Sequence, residues 1–181
     1  MFGPGVTHGF RVQPLSIAKI RRKAMQARRV LVPGNPDFFR MEPFLEGLFR
    51  YGITVDVVDS GELPYGVEAC CRPELLYIQF SDHVYAAACR DDPRARFTAV
   101  HELGHILLSH SRSFHRGGDG NHKPYEDSEW QANQIAAEML MPLDDIVANG
   151  YRTPGELQLA YQVSQPAAEL RIQKLVEKGE I

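Results

Sequence analysis

The 181-residue sequence holds no apolar run near the roughly 20 residues that span a bilayer, so no helical membrane anchor is expected. It is poor in cysteine, with Cys70, Cys71 and Cys89 alone. An odd number with two adjacent makes no disulfide framework. A reducing cytoplasm is therefore expected, with the cysteines as small, buried apolar residues. The start, Met1 to His8, lacks a charged segment followed by an apolar one, and no secretory signal is expected from it. Internal repeats and low-complexity stretches are absent. Acids are missing from residues 11–30, where Arg11, Lys19, Arg21, Arg22, Lys23, Arg28 and Arg29 give +7. The net charge is −3, so the remainder carries −10. A basic arm of this kind can bind nucleic acid. Leu15, Ile17, Ala18, Ile20, Ala24, Met25 and Ala27 supply an apolar side, however, and the arm reads as a helix with a solvated basic face.

What is present is the mix of a globular protein with a core: 44% hydrophobic and 24% charged residues, in a length that suits one domain of ordinary size. The pattern predicts helices over 15–30 and 37–50 and a β-branched strand over 53–58. A turn-rich stretch with Gly61, Pro64, Gly66 and Pro73 follows, then a strand over 75–80. Residues 84–89 read as a third strand or a returning hairpin arm, with Ser81-Asp82 as the turn. Helices are expected over 94–110, 128–141 and 143–148, with a polar loop from 111 to 126. Thr153-Pro154-Gly155-Glu156 is a capping box with proline at the first helical position, and Ser164 is placed to cap a last helix ending near Gly179.

His101-Glu102-Leu103-Gly104-His105 fits H-E-x-x-H. Positions four apart on a helix lie about 40° apart around the axis, so both imidazoles face one point, where they can bind Zn²⁺. Glu102 is close enough to act on a water there without being a ligand. This composition yields such a match by chance about 0.02 times, before a helix is required. A catalytic zinc needs a third protein ligand and an open position. The metzincin pattern would need glycine at 108 and histidine at 111, where the chain has Leu108 and Ser111. His110 lies about 180° around the helix from His101 and would point away if the helix persisted. His115 and His122 in the loop could reach the site. Glu129 is the better candidate, on the helix expected over 128–141, with Asn133 one turn further on the same face to accept the free N–H of a ligating histidine. Glu126 and Asp127 compete with it. Glu138, half a turn off the Glu129 face, reads as solvated.

Two blocks, Arg96-Phe-Thr-Ala-Val-His101-Glu-Leu-Gly-His105-Ile-Leu-Leu-Ser-His110 and Glu129-Trp-Gln-Ala-Asn133-Gln-Ile-Ala-Ala-Glu-Met-Leu-Met-Pro142, resemble the ImmA/IrrE family of metallo-endopeptidases. The second is similar to that family's E-x-x-A-N-x-F-A-A-x-L-L-M-P. Residues 159–175 resemble the helix-turn-helix-like ending of many members. The chain departs in Ile135, where phenylalanine is usual, and neither a fused repressor domain nor a C-terminal sensor domain is expected in it. The resemblance implies an α+β, zincin-like fold: a small antiparallel or mixed three-stranded sheet packed on the helices that carry the two motifs. It implies a metallopeptidase domain over 1–150 and a helix-turn-helix-like module over 151–181. It implies zinc, with manganese as a substitute, held by His101, His105 and Glu129, and Glu102 as catalytic acid/base. The implied function is a cytoplasmic endopeptidase that cuts a helix-turn-helix repressor and derepresses stress-response or mobile-element genes. Tyr125, His122, Arg94 and Arg96 are candidates to stabilise the oxyanion, and the strand at 75–80 or 84–89 to hold substrate as an added strand. The competing class is a DNA-binding regulator with a structural or vestigial metal. Residues 152–181 argue against it, with four basic and four acidic side chains and no basic stripe.

Overall fold

The computed structural model describes residues 9–34, 36–110 and 122–181. Met1 to His8 and the part of the expected loop that holds His115 lie outside them. Helix α1 (Ile17–Leu31) starts at Ser16, whose hydroxyl accepts from Lys19 N at 3.3 Å. It buries Ile20, Ala24, Ala27 and Arg28 against α5, a stripe one to two turns apart that reproduces the expected apolar side. Two of its arginines turn inward, so the basic face that meets solvent is smaller than its sequence suggests. Arg28 reaches the carbonyls of Met139 and Pro36, and Arg21 pairs with Glu138 and Glu180. The second predicted helix is shorter than expected: α2 (Met41–Gly47), followed by one 3₁₀ turn, ends where Gly52 takes a left-handed conformation at φ 76°.

Strands β1 (Thr54–Val58), β2 (Ala69–Arg72) and β3 (Tyr77–Ser81) form a mixed sheet in the order β1-β3-β2. β1 runs parallel to β3, and β2 antiparallel to it. Ile78 and Phe80 face the core, whereas Tyr77 and Gln79 on the opposite face hydrogen-bond Asp56. β2 corrects the expectation of a turn-rich stretch with no strand. Residues 84–89 are not a strand. They lie in α3 (Asp82–Cys89), because the alanine run favours helix and Ser81, in an extended conformation, precedes its first turn. Val84 and Ala88, four apart, are the buried positions.

Helix α4 (Pro93–Leu107) begins at Asp92, whose carboxylate accepts from Arg94 N and Ala95 N, with proline in the first turn. Helix α5 (Ser128–Leu140) begins at Asp127, which accepts from Trp130 N at 2.8 Å. The two pack face to face. Gly104 makes this possible, since a Cβ there would lie 2.6 Å from Ile135 Cγ2. Helices α6 (Leu143–Asn149), α7 (Pro154–Tyr161) and α8 (Gln165–Glu177) complete the chain. The expected capping box at Thr153 and Glu156 and the Ser164 cap are both formed. Leu157, Tyr161, Ala168 and Leu175 of α7 and α8 belong to the same apolar core as α4 and α5.

Candidate metal centre

The site sits between α4, α5 and the edge strand β2. His101 and His105 are one turn apart on α4, and Glu129 comes from the first turn of α5. His101 Nε2 lies 3.1 Å from Glu129 Oε2, His105 Nε2 lies 3.3 Å from Glu129 Oε1, and the two Nε2 atoms are 3.2 Å apart. Four tetrahedral bonds of about 2.0–2.1 Å span ligand-to-ligand edges of about 3.3–3.4 Å, so these separations suit one small divalent ion. The hydrogen bonding points the same way. His101 Nδ1 lies 3.0 Å from Asn133 Oδ1, an acceptor only, so Nδ1 carries a proton and Nε2 is the nitrogen that faces the cluster.

Burial and the neighbouring charges push the two rings in opposite directions. Burial presses the His101 imidazole down, but hydrogen bonding to Glu129 and the charges of Glu102 and Glu129 outweigh it and leave it above its ordinary value. Burial and then the neighbouring His101 push His105 down to about 4, so the second ring stays neutral and available as a donor. The hydrogen bond with His101 holds the Glu129 carboxyl below its usual range. Glu102 is raised by burial, and its carboxyl accepts a hydrogen bond from Cys71 on β2. Burial and Glu102 together keep that thiol protonated.

Glu102, Cys71, Arg72, Glu74 and Phe10 share with the three donors the walls of an open cleft of about 550 Å³. His110 also lines it, against expectation. The helix does not persist: α4 ends at Leu107, and Ser109 takes a left-handed conformation at φ 55°. The N–H groups of Ser109 and His110 return to the carbonyls of Ile106 and His105, the paired bonds of a Schellman turn. That turn swings His110 back until its Nδ1 is 3.0 Å from Nδ1 of His105.

Other expected partners are elsewhere. His122 pairs with Asp127 at 2.7 Å, and Glu126 pairs with Arg11 at 2.9 Å. Glu138 is not solvated. It is 2% exposed and takes two bonds from Arg171 of α8, at 2.9 and 2.8 Å, with a third from Arg21 at 3.1 Å. Arg96 is buried under the Phe38 ring, Arg94 pairs with Glu68, and Tyr125 sits beside Lys123, so none of these lines the cleft. Arg72 does, and sequence reasoning passed over it because β2 was not recognised.

The model of the IrrE N-terminal-like domain, a peptidase family, matches residues 81–173, which is more than half of the chain and includes both α4 and α5. The chain belongs to this family. No curated protein sequence matches it. A solved structure of a Mycobacterium tuberculosis transcriptional regulator shares the fold, with a TM-score of 0.51 at 14% identity over 86% of this chain and 50% of the other. This IrrE-like chain thus spans about half the length of that regulator. No helix among the described residues is long and apolar enough to cross a membrane.

Proposed function

We propose that this IrrE-like protein is a zinc-dependent, cytoplasmic endopeptidase that cuts a protein substrate, a helix-turn-helix transcriptional repressor. The observation that carries this reading is the tetrahedral spacing of His101 Nε2, His105 Nε2 and the Glu129 carboxylate, with Glu102 beside them on an open cleft. Two neutral imidazoles and one carboxylate suit zinc better than manganese, which favours more oxygen donors. A divalent ion bound by these donors supplies Lewis acidity, polarising the scissile carbonyl and acidifying water.

The chain's own groups do the rest. Glu102, whose pKa burial raises, takes a proton from the attacking water and delivers it to the leaving amine. Asn133 holds the His101 ring in the ligand tautomer. The strand that receives substrate is β2, in place of the segments 75–80 and 84–89, because β2 is at the sheet edge and forms the cleft wall. Arg72, at the end of β2, is the donor for the developing oxyanion.

Direct DNA binding fits less well. Arg21, Arg28 and Arg171 serve internal contacts and are lost to any phosphate-binding surface. The test is incubation of the zinc-loaded protein with a helix-turn-helix repressor encoded beside it, followed by mass analysis of fragments. Glu102→Gln is expected to keep zinc and lose cleavage; a variant that cuts as fast as wild type rejects the mechanism. Salt-dependent retardation of duplex DNA by the protein alone would favour the regulator reading.

A further inference from the structure

We propose that His110 and Gln131 form a hydrogen-bond relay, anchored on the N-terminal arm, that sets the tautomer of His105 and turns its Nε2 lone pair to the metal. The inference rests on the reading of His105 as a ligand. It makes His110 a positioning residue, acting through His105.

The relay is read from its far end. Gln131 on α5 is fully buried, and its amide nitrogen donates to two backbone carbonyls, Gln13 O and Tyr125 O, both at 2.8 Å. Turning the amide over would set its oxygen against two carbonyl oxygens, so the assignment is fixed. Gln131 Oε1 therefore faces His110 Nε2 at 3.0 Å as an acceptor, and that ring nitrogen must carry the proton. In a neutral imidazole the other nitrogen, Nδ1, is then the acceptor. It lies 3.0 Å from Nδ1 of His105, which must donate. With its proton on Nδ1, His105 presents a bare Nε2 to His101 and Glu129.

His101 and His105 thus each hold a proton on Nδ1 by different means: one through Asn133 on the solvent side, the other through a buried chain. His110 is 3% exposed, and the ring of Phe10 stands edge-on to it at 6.4 Å, which keeps water from competing for the relay. Phe10 and Gln13 belong to residues 9–15, an extended arm bonded to residues 122–128 through Val12 N to Glu126 O, Leu15 N to Tyr125 O and Ser128 N to Phe10 O. This arm precedes the family match at residue 81. A segment outside the matched domain therefore completes the inner support of the metal centre.

Two measurements test the relay. Long-range ¹H–¹⁵N correlation spectra of the metal-free, ¹⁵N-labelled protein are expected to show His105 protonated at Nδ1 and His110 at Nε2. A proton on His110 Nδ1 overturns the proposal, whatever the variants do. In a competition assay with a zinc-binding dye, His110→Ala is expected to weaken zinc about 10–100-fold. His110→Asn, whose Oδ1 takes the place of Nδ1, is expected to recover most of that loss. Equal losses in both variants would mean that His110 only fills space, and would overturn the relay. A wild-type chain that binds no zinc defeats the ligand reading instead, and the spectra of the metal-free protein still decide the tautomers.

Discussion

Gly104→Ala tests whether the closeness of α4 and α5 sets the metal centre. The new Cβ would lie 2.6 Å from Ile135 Cγ2 and 3.4 Å from the Ala132 carbonyl oxygen. Carbon pairs rest at about 3.5–4.0 Å, so the helices must part by about 1 Å or Ile135 must leave its rotamer. Overpacking of this kind costs about 1–3 kcal/mol, which for a chain of this size lowers Tm by roughly 3–10 °C. The same shift moves Glu129 away from His101 and His105, and zinc is expected to bind about 10–100-fold more weakly. Thermal melts of the metal-free protein give the first quantity, and dye competition gives the second. Ile135→Ala alone loses about 2–5 kcal/mol. In Gly104→Ala/Ile135→Ala the added methyl enters the space vacated, so the combined loss should fall short of the sum by about 1 kcal/mol or more. A Gly104→Ala protein that melts and binds zinc like wild type, or a strictly additive double variant, refutes the argument.

At a zinc concentration one hundred times Kd, binding to the folded state adds about 2.7 kcal/mol, or roughly 5–11 °C in Tm. Glu129→Ala is expected to abolish that gain, as read by calorimetry with and without chelator. Arg171→Met leaves the buried Glu138 with Arg21 as its partner and should cost about 3–5 kcal/mol in denaturant unfolding, whereas Glu138→Leu/Arg171→Met should cost much less. Arg72→Ala should lower kcat against a cleavable peptide by about 100-fold with KM little changed, if this guanidinium meets the oxyanion. Ser109→Gly relieves the left-handed strain at φ 55° and should raise stability by about 1 kcal/mol without loss of zinc affinity.

The convergence of His101, His105 and Glu129 is legible in the sequence because its signal is local. His101, Glu102 and His105 need only a helix to converge, and the apolar side of α4 announces one. Glu129 and Asn133 follow from the same periodicity on α5, and the caps at Thr153 and Ser164 from adjacent residues. β2 carried no such signal. Ala69-Cys-Cys-Arg72 is short and lacks alternation, and its strand state comes from pairing with β3. The alanines of α3 did carry one, and were overread as a strand because strand-like sequence comes just before them.

His110 and Glu138 fail together, for one reason. Both expectations rest on helical angle, which fixes direction only while the helix continues and says nothing of what stands opposite. For His110 the helix stops first, at a serine that adopts the conformation glycine usually supplies, so a residue aimed away returns to touch His105. For Glu138 the angle held, but α1 and α8 bring Arg21 and Arg171, 117 and 33 residues distant, onto the face that looked solvated. Polar groups buried by distant partners are thus what periodicity conceals, and two of them, His110 and Gln131, stand behind His105. Gln131 shows the consequence: on sequence it is one more amide within a helix, yet its two carbonyl partners come from the N-terminal arm and from the turn before α5. The convergence of His101, His105 and Glu129 can be read from two helices, but the hydrogen bonds behind His105 depend on a fold that encloses both.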